Sequence, residues 1–594
     1  MKKITVSLFF VFSLFGPLFA AQRTPLPSLP KTVCKTCTTI PGRVALREAL
    51  LHNKLPEVKI DRKIEHSDLV VSMLLLSAED DLRKGDVKSS ISKANQAISF
   101  SSASPLPHFF LAHIYRIINT ESILSVLGEY ATGIRLSISD FWIFTQSLGV
   151  IGLVLMTTFH LSLLTFLLYC FVYYVPLWVH HAKERLPPHI HHHVILSIIA
   201  VFLLAFFFLL PFFWSLFIAL FFFWFFYQPR EKIVAVSFLI GLIFFAFLLK
   251  PLLILMTAKQ SYLLDQMVVN QKGDFIVSDL SFGTAATDWK VSFANASYAT
   301  QENNLGEAEA LYKESILKEP DEKRLLNNLG NIAFYRENFK EALGYYQKAI
   351  DKDPNYVVAH YNMGQVNNEL LAFEKGKDKY IEAKKINQTL TEYYAQSAAK
   401  YPNHPVIEER FTQWDLWKQL FLLYWNPVQE DANVREFWIG GLRFIPFLIL
   451  TILMGGGLFF ACRKCKKYVS GEFCPTCHKA MCIRCQESFT HYNLCEDCST
   501  LMVTGNPKKQ EKLPRRIALF FIVPGGFQLV MQKPILALSF LVPFYFCITL
   551  MAVGDVFLPS AYWHLSIASS PLLPITVVFL YGVYLLDIYL KRGR

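Results

Sequence analysis

Two kinds of hydrophobic pattern divide this chain of 594 residues. Continuous apolar runs, long enough for helices that cross a bilayer, occupy 147–178, 194–227, 233–256, 438–461 and parts of 517–590. A hydrocarbon core about 30 Å thick requires about 20 such residues. Between the runs, apolar residues recur at spacings of three and four, which is typical of amphipathic helices. The pattern predicts a mainly α fold, with a multi-pass helical membrane bundle and helical soluble domains at 22–140 and 257–437.

The run from Val194 to Tyr227 determines how often the chain crosses the membrane. A continuous helix over this whole run would be about 51 Å long, well above the hydrocarbon thickness. Pro211 lies near its middle. We therefore expect two spans, 194–210 and 212–227, which makes four spans in the region 147–256. A single tilted helix with a proline kink is the alternative.

The charges of the short loops favour two spans. The loops at 183–185 and 230–232 are both basic, and short basic loops face the cytoplasm. After an exported N-terminus, both loops can do so only if two spans separate them. The fourth span then returns the chain to the exported side. We therefore expect a bacterial inner-membrane protein in which 257–437 is periplasmic.

The C-terminal part follows the same charge rule. Residues 438–461 predict a span that leads back to the cytoplasm, where 462–516 carries eleven Lys and Arg against five Asp and Glu. Pro524 and two glycines interrupt 517–533, which predicts a re-entrant or interfacial piece. Two further spans end the membrane region 517–590 with a cytoplasmic C-terminus. The prediction is seven crossings.

Composition agrees with this architecture. Hydrophobic residues make up 53% of the chain and charged residues 18%, against about 25% charged residues in soluble domains. The net charge of +11 could indicate a nucleic-acid partner, but the segments predicted to be cytoplasmic carry all of it. The positive charge therefore indicates orientation in the membrane. We expect membrane lipid around the chain and no nucleic-acid partner.

Residues 1–21 have the layout of a secretory signal peptide. Two lysines precede an apolar stretch, which ends before small residues at Ala20 and Ala21. An uncleaved anchor is the alternative. The following segment, 22–140, is exported in both cases, so Cys34 and Cys37 face an oxidising compartment where a local disulfide or inert thiols are expected. No βαβ pattern surrounds this pair, which disfavours redox catalysis.

The segment 290–390 contains an internal repeat, in which Leu329-Gly330 recurs as Met363-Gly364. The period of about 34 residues is that of helical hairpin repeats. A weaker copy of about one and a half repeats lies before the membrane region, at 69–82, 87–100 and 107–118. After the repeats, 405–424 predicts a capping helix from aromatic residues at spacings of three and four: Phe411, Trp414, Trp417 and Phe421.

The segment from Glu322 to Pro354 resembles the tetratricopeptide repeat family. The family's large, small, aromatic and proline positions are occupied by Leu326, Leu329, Gly330, Ala342, Tyr346, Ala349 and Pro354. One similar unit precedes it and one follows. The resemblance implies a solenoid of helical hairpins, in which Gly330 lets two helices approach closely and Pro354 ends the second helix.

The resemblance also implies a concave groove that binds a protein or peptide partner. Its lining comes from the first helix of each hairpin, here Asn327, Asn331, Phe334, Tyr361, Gln365 and Asn368. Asn331 and Asn362 match two positions that family members use to hold a peptide carboxylate. The lysines of that clamp are missing, which favours a generic peptide groove. We expect that the chain itself does not need to fill this groove.

Eight cysteines form four C-x2-C knuckles within 462–500. In chain order, the first to fourth knuckles are Cys462/Cys465, Cys474/Cys477, Cys482/Cys485 and Cys495/Cys498. Two knuckles supply four thiolates to one tetrahedral zinc, so we predict two structural zinc ions as cofactors. Disulfides are the alternative, but the cytoplasm keeps thiols reduced. Sites filled by four thiolates leave no open position for hydrolytic chemistry.

The spacing leaves two pairings of the knuckles open. A sequential arrangement, which resembles double zinc ribbons, pairs the first knuckle with the second and the third with the fourth. A cross-braced arrangement, which resembles RING and FYVE modules, pairs the first with the third and the second with the fourth. The stretch between Cys465 and Cys474 is long enough for a short ribbon hairpin, and we therefore favour the sequential form.

The sequence indicates no catalytic site and no small-molecule substrate. It has no phosphate-binding glycine loop, no nucleophile beside a base and no open metal site. The function that we expect is an inner-membrane scaffold or adaptor, not an enzyme, which binds protein partners through periplasmic repeats and carries a structural zinc module. A component of a transport or channel complex is one alternative, and an accessory enzyme of envelope assembly is another.

Overall fold

The computed structural model describes most of the two predicted helical domains and parts of the predicted membrane region. The described residues are 59–60, 63–118, 123–183, 186–187, 190–191, 193–199, 201, 210–273, 288–425, 444–465, 471–474, 480–482, 494, 498–499, 522–557 and 572–592. The predicted signal peptide and the pair Cys34 and Cys37 lie outside them. The chain divides into two compact units. One comprises 25–147 and 254–426, and the other comprises 1–24, 148–253 and 427–594.

The first unit begins with four helices: α1 (Asp68–Arg83), α2 (Val87–Phe100), α3 (Leu106–Ile118) and α4 (Ile123–Ser139). Ser67 caps α1 by accepting a hydrogen bond from the Val70 amide, and Asp86 caps α2 in the same way. Gly133 of α4 lies against the ring of Phe109, which brings α3 and α4 together. The one and a half repeats of the prediction therefore continue into a second complete hairpin.

The apolar helices that follow include α5 (Phe141–Lys183), α6 (Phe212–Phe222) and α7 (Pro229–Thr257). Helix α6 begins directly after Pro211, so no continuous helix runs through this proline. Its 11 residues correspond to about 16 Å of helix, which is shorter than the predicted span 212–227. The carboxylate of Glu231 at the start of α7 is buried and accepts hydrogen bonds from the hydroxyls of Tyr169 and Tyr174.

Helix α8 (Tyr262–Lys272) leads into three helical hairpins. These are α9 (Trp289–Gln301) with α10 (Leu305–Lys318), α11 (Lys323–Tyr335) with α12 (Phe339–Lys352), and α13 (Val357–Glu369) with α14 (Phe373–Ile386). The turns contain Asn303, Glu337 and Leu371, which lie one repeat period apart and each have φ near +58°. The backbone thus repeats with the period of the sequence. The predicted mainly α fold, built on helical hairpins, is confirmed.

Glycines set the distance between the two helices of a hairpin. A Cβ atom on Gly330 would lie 2.5 Å from the Tyr346 ring, and one on Gly364 would lie 2.6 Å from the Tyr380 ring. Real Cβ contacts are never that short, so only glycine lets these rings lie against the first helix. Gly376, which departs from the family pattern, likewise makes room for the Asn368 side chain.

The segment after the third hairpin differs from the prediction. Helix α15 (Gln388–Lys400) packs onto the hairpin, the chain from 401 to 412 is non-helical, and α16 (Gln413–Trp425) follows. The prediction of one helix over 405–424 is therefore wrong for 405–412. Phe411 is 3% exposed and belongs to the core, whereas Trp414 is 75% exposed. The spacing of three and four had therefore grouped one residue of a non-helical segment with residues of a helix.

The C-terminal part contains α17 (Phe444–Cys465), the strands β1 (Gly471–Phe473) and β2 (Ala480–Cys482), and the helices α18 (Gly526–Val530), α19 (Pro534–Phe557) and α20 (Leu572–Arg592). Helices α5 and α7 and the Pro534–Ala552 part of α19 are each long and apolar enough to cross a membrane. Among the described residues, α6 and the apolar parts of α17 and α20 are shorter than this limit. The predicted count of seven crossings stays a prediction.

The short helix α18 packs against α20. The amide of Phe527 donates to the Tyr584 hydroxyl at 3.1 Å, and Gln528 donates to Asp587 at 2.7 Å. Gly525 has φ of +95°, and a Cβ there would lie 2.6 Å from the carbonyl oxygen of Ala537. So short a helix cannot cross a bilayer. The re-entrant or interfacial piece at 517–533, of which 517–521 lie outside the described residues, stays a prediction.

We expect Gly330→Ala to destabilise the repeat unit. The added methyl group meets the Tyr346 ring, which cannot move aside because its hydroxyl donates to Asn331 at 2.7 Å. Overpacking of this kind costs about 1–3 kcal/mol. The control is Gly344→Ala on α12, where a Cβ has no neighbour within 4 Å and alanine adds up to about 1 kcal/mol of helix stability. Denaturant unfolding of the purified protein measures both, and equal effects would contradict this packing.

Candidate functional site

The concave groove of the repeats is occupied by a segment of the same chain. Residues 405–412, which we name the strap, follow α15 and run as non-helical chain along the first helices of the second and third hairpins. Val406 and Ile407 are buried. From the sequence the chain need not fill this groove, but in the structure the strap occupies it. The strap crosses the surface that the resemblance assigned to a partner.

Three asparagines bind the main chain of the strap, and we name them the asparagine ladder. The amide of Ile407 donates to Asn362 Oδ1 at 2.8 Å, and its carbonyl accepts from Asn362 Nδ2 at 2.9 Å. Asn328 makes the same pair of bonds with Glu409, each at 3.0 Å. Asn270 of α8 accepts from the amide of Phe411 at 2.9 Å.

The ladder bonds alternate residues of the strap, at 407, 409 and 411. In an extended chain, alternate peptide groups point to the same side. A side-chain amide offers one acceptor and two donors, as a peptide group offers an acceptor and a donor. The ladder therefore substitutes for a neighbouring β-strand. Recognition through the main chain does not depend on the side chains of the bound segment.

Two of the predicted groove residues lie at this contact. Asn327 and Asn331 donate to the carbonyl of Ile407 at 3.1 and 3.0 Å. They are 0% and 2% exposed, and Asn331 also accepts a hydrogen bond from Tyr346. They face the groove as predicted, but the chain's own strap occupies them.

The other four predicted residues lie away from the strap bonds. Phe334 is buried beside Phe339. Tyr361 is buried against Tyr394 of α15, with ring centroids 5.6 Å apart, and accepts a hydrogen bond from Gln365 at 2.8 Å. Asn368 donates to the hydroxyl of Tyr380 at 3.1 Å. Helix α15 therefore covers Tyr361 of the predicted lining.

Phe411 anchors the end of the strap. Its ring lies 5.0 Å from the ring of Phe293 and 6.1 Å from that of Trp289, and the Arg324 guanidinium lies 5.3 Å above it. Burial of a phenylalanine side chain contributes about 1.5–3 kcal/mol. Arginine over an aromatic face adds about 0.5–1 kcal/mol. The aromatic anchor supplies affinity that the main-chain bonds alone do not.

Charged side chains of the strap also find partners in the same unit. Glu408 accepts a hydrogen bond from the Tyr312 hydroxyl at 3.1 Å, and Arg410 pairs with Glu65 at 3.1 Å. Burial raises the pKa of Glu409 to about 7, against the opposing effect of the Arg324 and Lys323 charges. Nearby Glu322 and Asp415 contribute to the rise.

Two cavities adjoin these elements. One of about 20 Å³ lies beside Glu408 and Asn328 and has room for about one water molecule. The other, of about 790 Å³, lies between the N-terminal hairpins and α15. Its charged residues already have partners: Lys272 pairs with Asp140, and Lys59 donates to main-chain carbonyls at the end of α2. The groove, whose asparagines bind the strap through hydrogen bonds, is therefore a better candidate site than either cavity.

The predicted zinc ligands lie mostly outside the described side chains. Cys474 is fully buried and clusters with Leu494, and Cys498 packs against this pair. Within the described part of the chain, no group of three or more His, Cys, Asp or Glu residues could hold a metal ion. The remaining side chains of the predicted set are not described: Cys462, Cys465, Cys477, Cys482, Cys485 and Cys495. The two zinc ions stay a prediction.

Sequence reasoning missed two members of the asparagine ladder. Asn270 lies on α8, before the repeats, and no periodic signal pointed to it. Asn328 and Asn362 lie one repeat period apart and therefore occupy equivalent positions of consecutive hairpins. That recurrence of asparagine was a usable signal. The assignment chose the neighbouring position, Asn327 with Tyr361, because it followed the family's general groove positions.

The stability of the first unit should depend on the protonation of Glu409. Its folded pKa of about 7 lies above the ordinary value of 4.5, so the folded state binds the proton more tightly than the unfolded state. The contribution is complete below about pH 4.5 and is lost as pH rises through 7, by no more than about 3 kcal/mol. Urea unfolding at pH 5 and pH 8 measures this loss. Glu409→Gln should reduce it, and an unchanged pH dependence in that variant would exclude Glu409 as the cause.

A comparison with known protein families gives a match to one hairpin of this unit. The sequence model of the tetratricopeptide repeat matches residues 324–356, which comprise most of α11 and all of α12. No curated protein sequence matches this chain. Tetratricopeptide repeats generally mediate binding between proteins. The second hairpin, which supplies Asn327, Asn328 and Asn331 to the groove, is thus similar to a protein-interaction module.

Proposed function

We propose that this protein is a membrane-anchored adaptor whose repeats bind an extended segment of a partner protein, in competition with the strap. The observation that carries the proposal is the asparagine ladder, which binds the main chain of an extended segment through Asn328 and Asn362 at 2.8–3.0 Å. Main-chain bonds of this kind accept many sequences. The groove is therefore suited to peptide segments and not to a small metabolite.

The strap indicates which segments fit best. Its buried side chains are branched aliphatic residues at Val406 and Ile407 and an aromatic residue at Phe411. A partner with the same spacing, aliphatic and then aromatic four positions later, would make the same main-chain bonds and fill the same apolar sites. Because the strap is part of the same chain, it competes at a high effective concentration. Only a segment with well-matched anchors would displace it.

Weakening the strap should open the groove to a peptide. The probe is a fluorescent peptide with the sequence of residues 402–412, and the variants are Phe411→Ala and Ile407→Pro in the full-length protein. Loss of a buried phenylalanine costs about 3–5 kcal/mol, and proline removes the amide that donates to Asn362. We expect at least tenfold tighter peptide binding than in wild type, measured by fluorescence anisotropy.

Two controls test whether the peptide enters the groove. Trp414→Ala changes an exposed side chain beside the strap and should leave peptide binding at the wild-type level. Adding Asn362→Ala to Phe411→Ala should abolish the gain. Circular dichroism confirms that each variant is folded. If folded strap variants bind no peptide, the strap is a permanent part of the core and the groove is not a partner site.

The proposal includes a periplasmic repeat unit in a bacterial inner membrane. Contacts between the two segments of the first unit support a location on the same side of the membrane for both. Lys272 pairs with Asp140 at 2.6 Å, and Arg410 pairs with Glu65 at 3.1 Å. Segments that pack together lie on the same side of a membrane, which requires an even number of crossings between α4 and α8. Four crossings meet this condition, and three do not.

Reporter fusions test the orientation. Alkaline phosphatase, which is active only in the periplasm, should be active when fused near Asn387 and inactive when fused near Ser499. A green fluorescent protein fused at the same two positions should give the opposite pattern. Active phosphatase near Ser499 together with inactive phosphatase near Asn387 would reverse the proposed orientation.

The cytoplasmic part of the proposal is a structural zinc module. Four C-x2-C knuckles within 462–500 supply eight thiolates, which is the donor set of two tetrahedral zinc sites. A segment this short cannot build a sufficient apolar core, and zinc binding of roughly 10 kcal/mol or more per site can replace it. The burial of Cys474 beside Cys498 and Leu494 supports a compact module.

A further inference from the structure

The middle position of the strap carries an acidic side chain between two apolar anchors. The asparagine ladder bonds the main chain at 407, 409 and 411. Side chains two positions apart in an extended chain lie on the same side of it. Those of Ile407 and Phe411 are buried, and Glu409 between them is partly buried. The groove therefore encloses a carboxyl group at a position where the neighbouring anchors are apolar.

The cations near this carboxyl already have partners. They are Arg324 and Lys323, at the start of α11. Arg324 pairs with Glu322 and with Asp415, each at 2.8 Å, and Lys323 pairs with Asp353. Two positive charges thus already face three carboxylates. An ionised carboxyl on the strap would be a fourth, so the surrounding charges do not compensate it and the groove favours an uncharged side chain there.

Two tyrosines provide polar groups around the same position. The hydroxyl of Tyr394 on α15 donates a hydrogen bond to the Glu409 carboxyl. Tyr356, which precedes α13, has a buried hydroxyl with no hydrogen-bond partner among the described residues. Burial raises the pKa of both tyrosines, and the charge of Glu409 raises it further. Both hydroxyls therefore stay protonated, and they can form hydrogen bonds with an uncharged side chain.

We infer that the groove selects partner segments that carry an uncharged amide side chain, such as glutamine, midway between the aliphatic and the aromatic anchor. This inference rests on the proposed function and specifies the middle position of the segment that the repeats bind. A glutamine side chain has the shape of a protonated glutamate and offers both an acceptor and donors. It needs no proton to become neutral. The strap, which carries Glu409, is thus an occupant that such a partner can displace.

Protonation determines how strongly the strap competes with such a partner. In the groove the pKa of Glu409 is raised to about 7 from its ordinary value of 4.5, so the bound strap holds the proton more tightly than the released strap. Binding of the strap is strongest below about pH 4.5 and weakens as pH rises through 7. A segment with glutamine has no such loss. Displacement of the strap by an amide-bearing partner is therefore favoured as pH rises.

Two peptides test the selectivity. One has the sequence of residues 402–412, and the other has the same sequence with Glu409→Gln. Both are labelled with a fluorophore and titrated with the full-length Phe411→Ala protein at pH 5 and pH 8. We expect the two affinities to agree within about fivefold at pH 5, and the glutamine peptide to bind at least about tenfold more tightly at pH 8. Fluorescence anisotropy measures both.

The design isolates position 409 in two ways. Both peptides compete with the same strap and contain the same histidine, so these effects cancel in the ratio of their affinities. A third peptide, with Glu408→Gln, loses the same charge at the neighbouring position, whose side chain bonds to Tyr312 instead. It should lose affinity between pH 5 and pH 8 as the unsubstituted peptide does. Because only the peptides differ, the fold of the protein is the same in every titration.

The outcomes separate this inference from the proposed function. Equal affinities of the glutamine and the unsubstituted peptide at pH 8 would overturn the selectivity, while binding itself would still support the groove as a partner site. An equally large gain from Glu408→Gln would also overturn it, because the effect would then be one of net charge. If none of the three peptides binds, the proposed function fails and the inference fails with it.

Discussion

Satisfying the buried peptide groups of the strap is the constraint on which the first unit depends. A non-helical segment inside a helical solenoid has no neighbouring strand, and each peptide group left without a hydrogen bond costs about 1–3 kcal/mol. Asn328 and Asn362 remove this cost for Glu409 and Ile407 by supplying a donor and an acceptor each. The spacing of these asparagines equals the repeat period, so regular packing of the hairpins is what keeps them aligned. The glycines that allow close contact between the helices of a hairpin are therefore also needed to keep the asparagines aligned.

Periodicity explains what the sequence predicted well. The helical hairpins follow from the repeat period and from local signals, such as caps and small residues, that act within a few positions. The strap has no such signal. Its partners are side chains 45–141 residues away, and its aromatic residue happens to continue the helical spacing of α16. Local periodicity cannot distinguish the non-helical strap from the start of α16, so the two were predicted to be one helix.

The candidate site was likewise predictable from the sequence only in part. The sequence identified the groove and placed Asn327 and Asn331 in it, because those positions follow from the repeat. It could not identify the occupant, which depends on tertiary contacts. For the eight cysteines within 462–500, likewise, the spacing predicts zinc ligands but leaves their pairing open. Local sequence patterns predict which residues line a groove or could bind a metal. Long-range contacts determine which other residues they contact.

The ion pairs of Lys272 have a consequence for how the protein is made. Lys272 binds Asp68 and Asp140, and the first of these is 204 residues earlier in the chain. Synthesis proceeds at about 5–20 residues per second, so the N-terminal hairpins wait for at least about ten seconds before their partner surface emerges. In the proposed membrane architecture, the apolar helices α5 and α7 enter the bilayer during that interval. Folding of the first unit is then a late event, and an error in insertion would leave the early hairpins as substrates for chaperones or proteases.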